Sequence, residues 1–355
     1  MSIKVGVVGA AGFAGIELVR LLQQHPLFEV AVITSNADAG TPLAQAYPAF
    51  CGTSNLVFET HDTPALAACD AVFLAVPHTA AMGQVPALLA AGTSVFDLSA
   101  DYRLKDAAVY EKWYGTPHTS PDLLARAAFG LPELFGAEVA RAAAAHAAGT
   151  PALVACAGCY PTATSLAAFP AVNAGLMGPG NLIVNAISGV SGAGKSPNAR
   201  THFCTADENV EAYGVGKHRH TPEIEQILGL EGRVLFTPHL APLVRGLLST
   251  VYIPLCADAA RDFDADRLQK LYTDFYADAA FVHVLAPGTW PKTRSVAGSC
   301  HAHIGLTLHE PSRTLIAVAA IDNLCKGAAG QAVQCANIVY GFEETTGLAQ
   351  MALPV

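Results

Sequence analysis

No apolar run in this 355-residue chain reaches the length of a membrane span, although 52% of its residues are hydrophobic. A leader-like segment is lacking too: Met-Ser-Ile-Lys-Val-Gly-Val-Val-Gly runs straight into a strand pattern, so no signal peptide is expected. Nine cysteines without such a leader point to reduced thiols in a cytosol rather than to a disulfide framework. A second Cys pair with zinc spacing is missing, which argues against structural zinc. Positive charge is outnumbered, 20 Lys+Arg against 29 Asp+Glu, a net charge of −9. That balance argues against general nucleic-acid binding, while local Arg and Lys can still serve an anionic substrate. There is neither a low-complexity tract nor a repeat of fixed period. The length suffices for two domains with real cores.

What is present begins at once. Ile3–Val8 reads as a buried strand and Gly9-Ala-Ala-Gly12-Phe-Ala-Gly15 as a turn. Ile16, Leu18, Val19, Leu21 and Leu22 follow at helical spacing, and residues 28–33 read as a second strand. This is a βαβ unit with glycines at its first turn. Those glycines let the backbone approach a pyrophosphate resting on the helix N-terminus. Gly9, Ala11, Gly12, Phe13 and Gly15 are therefore candidate dinucleotide contacts; the alternative is a tight βα turn that binds nothing. Where the second strand ends, NAD-binding units carry Asp or Glu for the ribose 2′-OH. This chain has Thr34-Ser35-Asn36 there, with no carboxylate among the three and with hydroxyls and an amide able to donate. NADP(H) is favoured, with Ser35 and Asn36 as contacts, although no Arg occupies the spot.

Further strands are expected at residues 71–76 and 94–98. Each ends in polar residues, Pro77-His78-Thr79 and Ser99 to Arg103. Loops at strand carboxyl ends line the ligand crevice of doubly wound sheets, so Pro77, His78 and Arg103 are site candidates. Beyond residue 157 the pattern changes. Strands at 182–187, 234–236, Leu247–Pro254 and Thr314–Ile321 alternate with fewer helices, which suggests a second α+β domain with a mixed or mostly antiparallel sheet. Residues 326–341 read as a helix that returns to the first domain. The expected division is 1–157 with 326–355 for NADP binding, and 158–325 for catalysis, substrate and oligomerisation.

Cys159 stands in Ala-Gly-Cys-Tyr-Pro-Thr, at the junction of an apolar run and a helical pattern. Pro161 suits the first turn of a helix. A Cys at a helix start has backbone donors and the positive end of the dipole to favour its thiolate, which makes it a candidate nucleophile. A buried structural cysteine is the competing reading. Lys217-His218-Arg219-His220-Thr221-Pro222-Glu223 is dense in acid–base groups, and Thr221-Pro222 suggests a helix beginning just after His220. A helix N-terminus keeps an imidazole neutral near pH 7, and Glu223 is placed in sequence to orient one of the two rings. A solvated basic loop is the bland alternative.

Three other patterns compete. Gly189-Val-Ser-Gly-Ala-Gly194-Lys195-Ser196 fits the phosphate-loop spacing, but Pro197 and Asn198 stand where a long helix should begin. It reads as a glycine-rich anion-binding loop, with a nucleotide hydrolase as the distant alternative. Cys156-Ala-Gly-Cys159 has the spacing of a redox pair. Cys300-His301-Ala-His303 looks metal-like, yet in a strand its three side chains cannot share one face, so no metal is expected.

The motifs occur in a particular order: GAAGFAGIELVRLL from Gly9, PHT from Pro77, FDLSADYR from Phe96, FGLPEL from Phe129 and GCYPT from Gly158. SGVSGAGK from Ser188, HRHTPEI from His218, FTPHLAPLVRG from Phe236 and DNLCKGAAGQAVQ from Asp322 complete the series. Along nearly its whole length the chain thus resembles the N-acetyl-gamma-glutamyl-phosphate reductase family of arginine biosynthesis, related to aspartate-semialdehyde dehydrogenase. It departs from the family at Ala157, where Pro is usual, at Asn36, where many members have Arg, and at Cys300, where Asn is frequent. The resemblance implies a Rossmann-type domain plus an α+β domain, NADPH, and reduction of an acyl phosphate through a Cys159 thioester. His220 or His218 would be the acid–base group. Arg103, Arg245, Glu223 and the loop residues Ser188, Gly189, Ser191 and Lys195 would contact phosphate and carboxylate, and Asn323 would seat the nicotinamide. A cytoplasmic homodimer or homotetramer is implied, with no metal. An aspartyl or aminoadipyl phosphate is the alternative substrate.

Overall fold

The computed structural model describes residues 2–354. The chain divides into two units, Met1–Ala157 with Ala328–Ala349 and Gly158–Gly327 with Gln350–Val355. The stretch from residue 350 falls with the second unit, not with the first as the sequence division had it.

The first unit is built on strands β1 (Ile3–Val8), β2 (Phe28–Thr34), β3 (Phe58–Glu59), β4 (Ala71–Leu74), β5 (Ser94–Asp97), β6 (Ala128–Gly130) and β7 (Leu153–Cys156). All pairings are parallel, in the order β3-β2-β1-β4-β5-β7-β6. The β4 and β5 side chains are buried without alternation, as a parallel sheet covered on both faces requires. Strand order reverses between β1 and β4, which opens a crevice at their carboxyl ends. Strand β4 stops at Leu74, short of the expected 76, where the chain turns away beside Gly9. The Gly330–Val339 helix is buried on nearly every face, with Gln331 Nε2 donating to the Gly130 carbonyl at 2.8 Å. Its amino-terminal part was expected to be α-helical from 326, but Cys325–Ala329 forms a π turn.

The second unit carries β8 (Leu182–Gly189), β9 (Glu211–Ala212), β10 (Val234–Ala241), β11 (Leu247–Pro254), β12 (Val282–Val284), β13 (Ala302–His309) and β14 (Thr314–Ile321). Their order is β12-β13-β14-β11-β8-β10-β9, with β8–β10 and β12–β13 parallel and the other pairs antiparallel. Strand β10 runs on through Pro238, where the sequence pattern had ended at 236. The Pro238 carbonyl accepts from Tyr213 N–H, so the missing proline N–H also falls on the β9 side, where pairing spans only two residues. One sheet face is covered by the Cys159–Asn173 helix, whose residues from Tyr160 to Ala168 are all buried. Thr164 Oγ1 of this helix meets Ser249 Oγ at 2.9 Å. The hydroxyls of Tyr272 and Tyr276 donate to the carbonyls of Ala167 and Leu166, both at 2.7 Å.

Candidate active site

In the first unit the glycine turn closes on itself. Gly9 has φ +77°, and a Cβ there would stand 2.4 Å from the Ala75 carbonyl oxygen. A Cβ on Gly15 would lie 2.2 Å from the Gly9 carbonyl oxygen, so the helix packs on the turn only with glycine at both places. Gly12 is the N-cap of the Phe13–Gln23 helix and has no side-chain cap, which leaves the helix start as an anion cradle. Ala11 is buried and its carbonyl accepts from Tyr47 OH at 2.5 Å, while Phe13 is partly exposed. A dinucleotide pyrophosphate fits this cradle, where the backbone comes close and side chains are barred.

The loop after β4 lies against this turn. Pro77 is exposed, and the His78 Nδ1 accepts the Ala100 N–H at 3.1 Å. Thr79 has φ +76°, a costly conformation for a β-branched residue. The fully buried Asp101 holds it there, accepting Thr79 N–H at 2.7 Å, Met82 N–H at 3.2 Å and Tyr110 OH at 2.8 Å. The sequence reading passed over Asp101 in favour of its neighbour Arg103. Arg103 is itself buried, its Nε donating to the Cys156 carbonyl and an Nη to the Leu98 carbonyl, each at 2.7 Å. It ties the ends of β5 and β7 together.

At the end of β2, Ser35 is buried and its hydroxyl donates to Asp38 Oδ2 at 2.6 Å. The Asn36 side-chain oxygen accepts the His61 N–H at 2.8 Å. A carboxylate is therefore present at this end of the sheet, two residues beyond the Thr34-Ser35-Asn36 stretch, which has none.

In the second unit Cys159 is the first residue of its helix, with Gly158 as N-cap. Its side chain is half-buried. The Gly158 N–H donates to Glu223 Oε1 at 2.8 Å. Glu223 is only 1% exposed and holds the start of the cysteine helix. Gly327 packs against the cysteine: a Cβ there would come within 2.7 Å of Cys159 Cβ. His220 caps the Thr221–Leu228 helix, with Pro222 and Glu223 in its first turn. The two helix starts meet through Glu223 and through Tyr160, whose ring centroid lies 6.0 Å from that of His220.

His218 is placed differently. Its ring sits edge-on against Tyr160, Tyr213 and Phe236, with centroids 5.7, 5.3 and 5.3 Å away. Burial, followed by the charge of Arg219, pushes its pKa down to about 4. The neutral ring accepts the His220 N–H at Nδ1, 3.2 Å away. Tyr213 OH in turn donates to Tyr160 OH at 3.2 Å, and Tyr160 OH to the His239 carbonyl at 3.0 Å.

The glycine-rich loop leaves β8 as the Val190–Ala193 3₁₀ turn, and Gly194 has φ +83°. No long helix follows Lys195 and Ser196, only the short turns Ala199–Thr201 and Phe203–Ala206, so the hydrolase phosphate-loop reading lacks its defining element. Gly189 lets the loop approach the chain at 243–245, since a Cβ would lie 2.8 Å from the Leu243 carbonyl oxygen. Ser188 and Ser191 are buried, and Lys195 is exposed. Asn323 joins this region: its Oδ1 accepts Gly246 N–H at 2.7 Å and its Nδ2 donates to Ser191 Oγ at 3.0 Å. Both amide ends thus serve the loop, a positioning duty that the nicotinamide role had not foreseen. The neighbouring Asp322, buried completely, pairs with Arg245 at 3.2 Å and also accepts Gly298 N–H at 2.6 Å.

The cysteines and histidines of the two competing motifs pair with separate partners. The Cys156 thiol bonds to Cys335, and that bond, with burial, raises its pKa well above the usual value, which does not suit a redox dithiol. Cys300 Sγ lies 3.6 Å from Cys325 Sγ, and His301 Nδ1 lies 2.8 Å from His283 Nε2. Among the described residues no group of three or more His, Cys, Asp or Glu is placed to hold a metal ion.

Residues 4–142 match the family described as semialdehyde dehydrogenase, NAD binding domain, and residues 159–323 match semialdehyde dehydrogenase, dimerisation domain. The solved structure of aspartate semialdehyde dehydrogenase II complexed with ASA from Vibrio cholerae superposes with a TM-score of 0.71 at 16% identity, covering 96% of this chain and 98% of that one. That of aspartate semialdehyde dehydrogenase with NADP from Candida albicans gives 0.66 at 19% identity, covering 96% and 98%. These two share the fold. The N-acetyl-gamma-glutamyl-phosphate reductase of Symbiobacterium thermophilum is 46% identical over 98% of both chains. On that identity and coverage, the chain belongs to the N-acetyl-gamma-glutamyl-phosphate reductase family.

Proposed function

We propose that the protein reduces N-acetyl-gamma-glutamyl phosphate to N-acetyl-glutamate semialdehyde with release of phosphate, using NADPH, as a step of arginine biosynthesis. The observation that carries this reading is the half-buried Cys159 at a helix start, braced by Glu223 and adjoining the helix that His220 caps. The Cys159 thiolate attacks the acyl carbonyl; a C–S bond forms, the bond to the phosphate oxygen breaks, and phosphate leaves. First-turn N–H groups of the cysteine helix are the donors for the oxyanion that develops. The Gly9–Gly15 cradle would hold NADPH, which would supply the hydride that reduces the thioester carbon. His220 then gives a proton to the departing sulfur as the thiohemiacetal anion collapses to the aldehyde. The neutral, caged His218 supports His220 in this role by accepting its N–H. Arg245, aimed by Asp322, and the 188–195 loop are the proposed substrate contacts.

Residues 2–157 with the Gly330–Val339 helix are the proposed cofactor domain, and the second unit the proposed substrate and assembly domain. Its uncovered sheet face supports a homo-oligomer: Ile183 and Leu235 are 42% and 53% exposed, beside half-buried Leu248, Ile316 and Val318. No helix among the described residues is long and apolar enough to cross a membrane, and a cytoplasmic location suits the reaction. The test follows NADPH formation from NADP, phosphate and the semialdehydes of acetylglutamate, aspartate and aminoadipate side by side. Turnover confined to the acetylglutamyl compound is expected; a preference for either of the others overturns the substrate assignment.

A further inference from the structure

The adenosine end of the cofactor crevice departs from what a strict NADP site needs. Tight recognition of a 2′-phosphate calls for a fixed cation near the end of β2. Between Arg20 and Arg103 this chain has no Lys or Arg at all, so the β2, β3 and β4 carboxyl ends contribute none. The basic side chain at this place is His61, whose Nδ1 lies 2.7 Å from Thr34 Oγ1. Burial holds its imidazole below the usual pKa, with Asp62 acting weakly the other way, so it offers no fixed charge near neutral pH. Against this stands Asp38. Its Oδ2 takes the Ser35 hydroxyl at 2.6 Å, and its own N–H turns back to the Ser35 carbonyl at 3.3 Å. The hydroxyl that would donate to a 2′-phosphate is thereby engaged, and its partner is a carboxylate, which repels a phosphate brought to the same hydroxyl. A carboxylate at this point also accepts a ribose 2′-OH, the group that NADH presents.

We propose that Asp38 is a specificity-determining residue that narrows this enzyme's preference for NADPH and admits NADH as a second working hydride donor. The proposal rests on the reading of the first unit as the cofactor domain. Asn36, whose side-chain oxygen takes the His61 N–H, still has its amide N–H groups to give to the phosphate, so NADPH remains ahead; Asp38 sets by how much. Replacing the carboxylate by an amide keeps a partner for Ser35 and removes the repulsion. Asp38 lies in a half-exposed turn, so the substitution leaves the sheet intact.

The experiment measures kcat/KM for NADPH and for NADH with the full chain, its Asp38→Asn variant and an Asn36→Arg variant. Fluorescence titration of both reduced cofactors runs in parallel. Asp38→Asn should raise the NADPH/NADH ratio about tenfold, which corresponds to about 1.4 kcal/mol. Asn36→Arg, which adds the missing cation, should raise it as well and fixes the scale. An unchanged or lowered ratio for Asp38→Asn, in turnover and in titration alike, overturns the proposal. A ratio that shifts in titration while the acyl-phosphate assay shows no turnover keeps Asp38 in its role and removes the reductase reading instead.

Discussion

A thiol is a useful nucleophile only where its anion is stabilised, and the two cysteines of Cys156-Ala-Gly-Cys159 differ in just that respect. Cys159 begins a helix; Cys156 is fully buried against Cys335. Cys159→Ser should therefore lose nearly all turnover while keeping NADPH binding, because serine needs a strong base to act. Cys156→Ala should stay largely active, and paired assays of the two variants check both statements. For the proton carrier, His220→Asn should lower kcat by roughly two to four powers of ten with little change in KM. His218→Asn should be milder, since that ring serves as a neutral acceptor for the His220 N–H. Comparing the pH–rate profiles of both variants checks the assignment; a dead His218→Asn beside a near-normal His220→Asn would reverse the roles. The proposed nucleophile and both imidazoles stand out in the sequence as residue types near a helix start. Their ranking was not, because it depends on the aromatic cage built by Tyr160, Tyr213 and Phe236 from distant parts of the chain.

Strand ends and the turns that follow them carry the cofactor reading. The Gly9–Gly15 turn is legible from spacing alone, since a Cβ at position 9 or 15 would overlap a carbonyl oxygen. The loop after β4 is not. Its strained Thr79 is held by Asp101, 22 residues further on, through one of three hydrogen bonds to a buried carboxylate. An amide at 101 cannot accept both the Thr79 and the Met82 N–H groups on its two atoms. Asp101→Asn should weaken NADPH binding several-fold and lower stability by about 1–3 kcal/mol, the usual cost of an unanswered buried donor. Cofactor titration and urea unfolding read the two effects separately. Intact NADPH affinity in a destabilised variant would make Asp101 a structural residue only.

Two units with two sheets leave the whole protein sensitive to pH through groups buried in one of them. Burial first, and the charge of Asp101 second, push the Asp97 carboxyl up to about 7 from an ordinary 3.8. The folded protein then holds a proton that the unfolded chain has already released. Stability from this group is present at low pH, falls as pH rises from about 4 to about 7, and is level above that. Asp97→Asn should flatten this slope, as thermal midpoints at several pH values between 5 and 8 would show. An unchanged slope would mean that Asp97 is ionised in the fold, held by Ser99 and Arg103.

Local pattern was enough for the α/β class, the glycine cradle, the helix starts at Cys159 and His220, and the strands Leu247–Pro254 and Thr314–Ile321. Each of these depends on neighbours within a few residues: a cap, a proline in a first turn, an alternation of side chains. What the chain could not disclose by itself was the destination of its buried charges. Residue type suggests a ligand contact for Arg103 and Asn323, and only the fold shows that both also hold groups within their own units. Asp38, Asp101 and Asp322 drew no notice because an Asp in a loop looks alike whether it meets water or a backbone N–H. Burying a carboxylate is tolerated only where donors converge on it, and those donors come together through the tertiary fold.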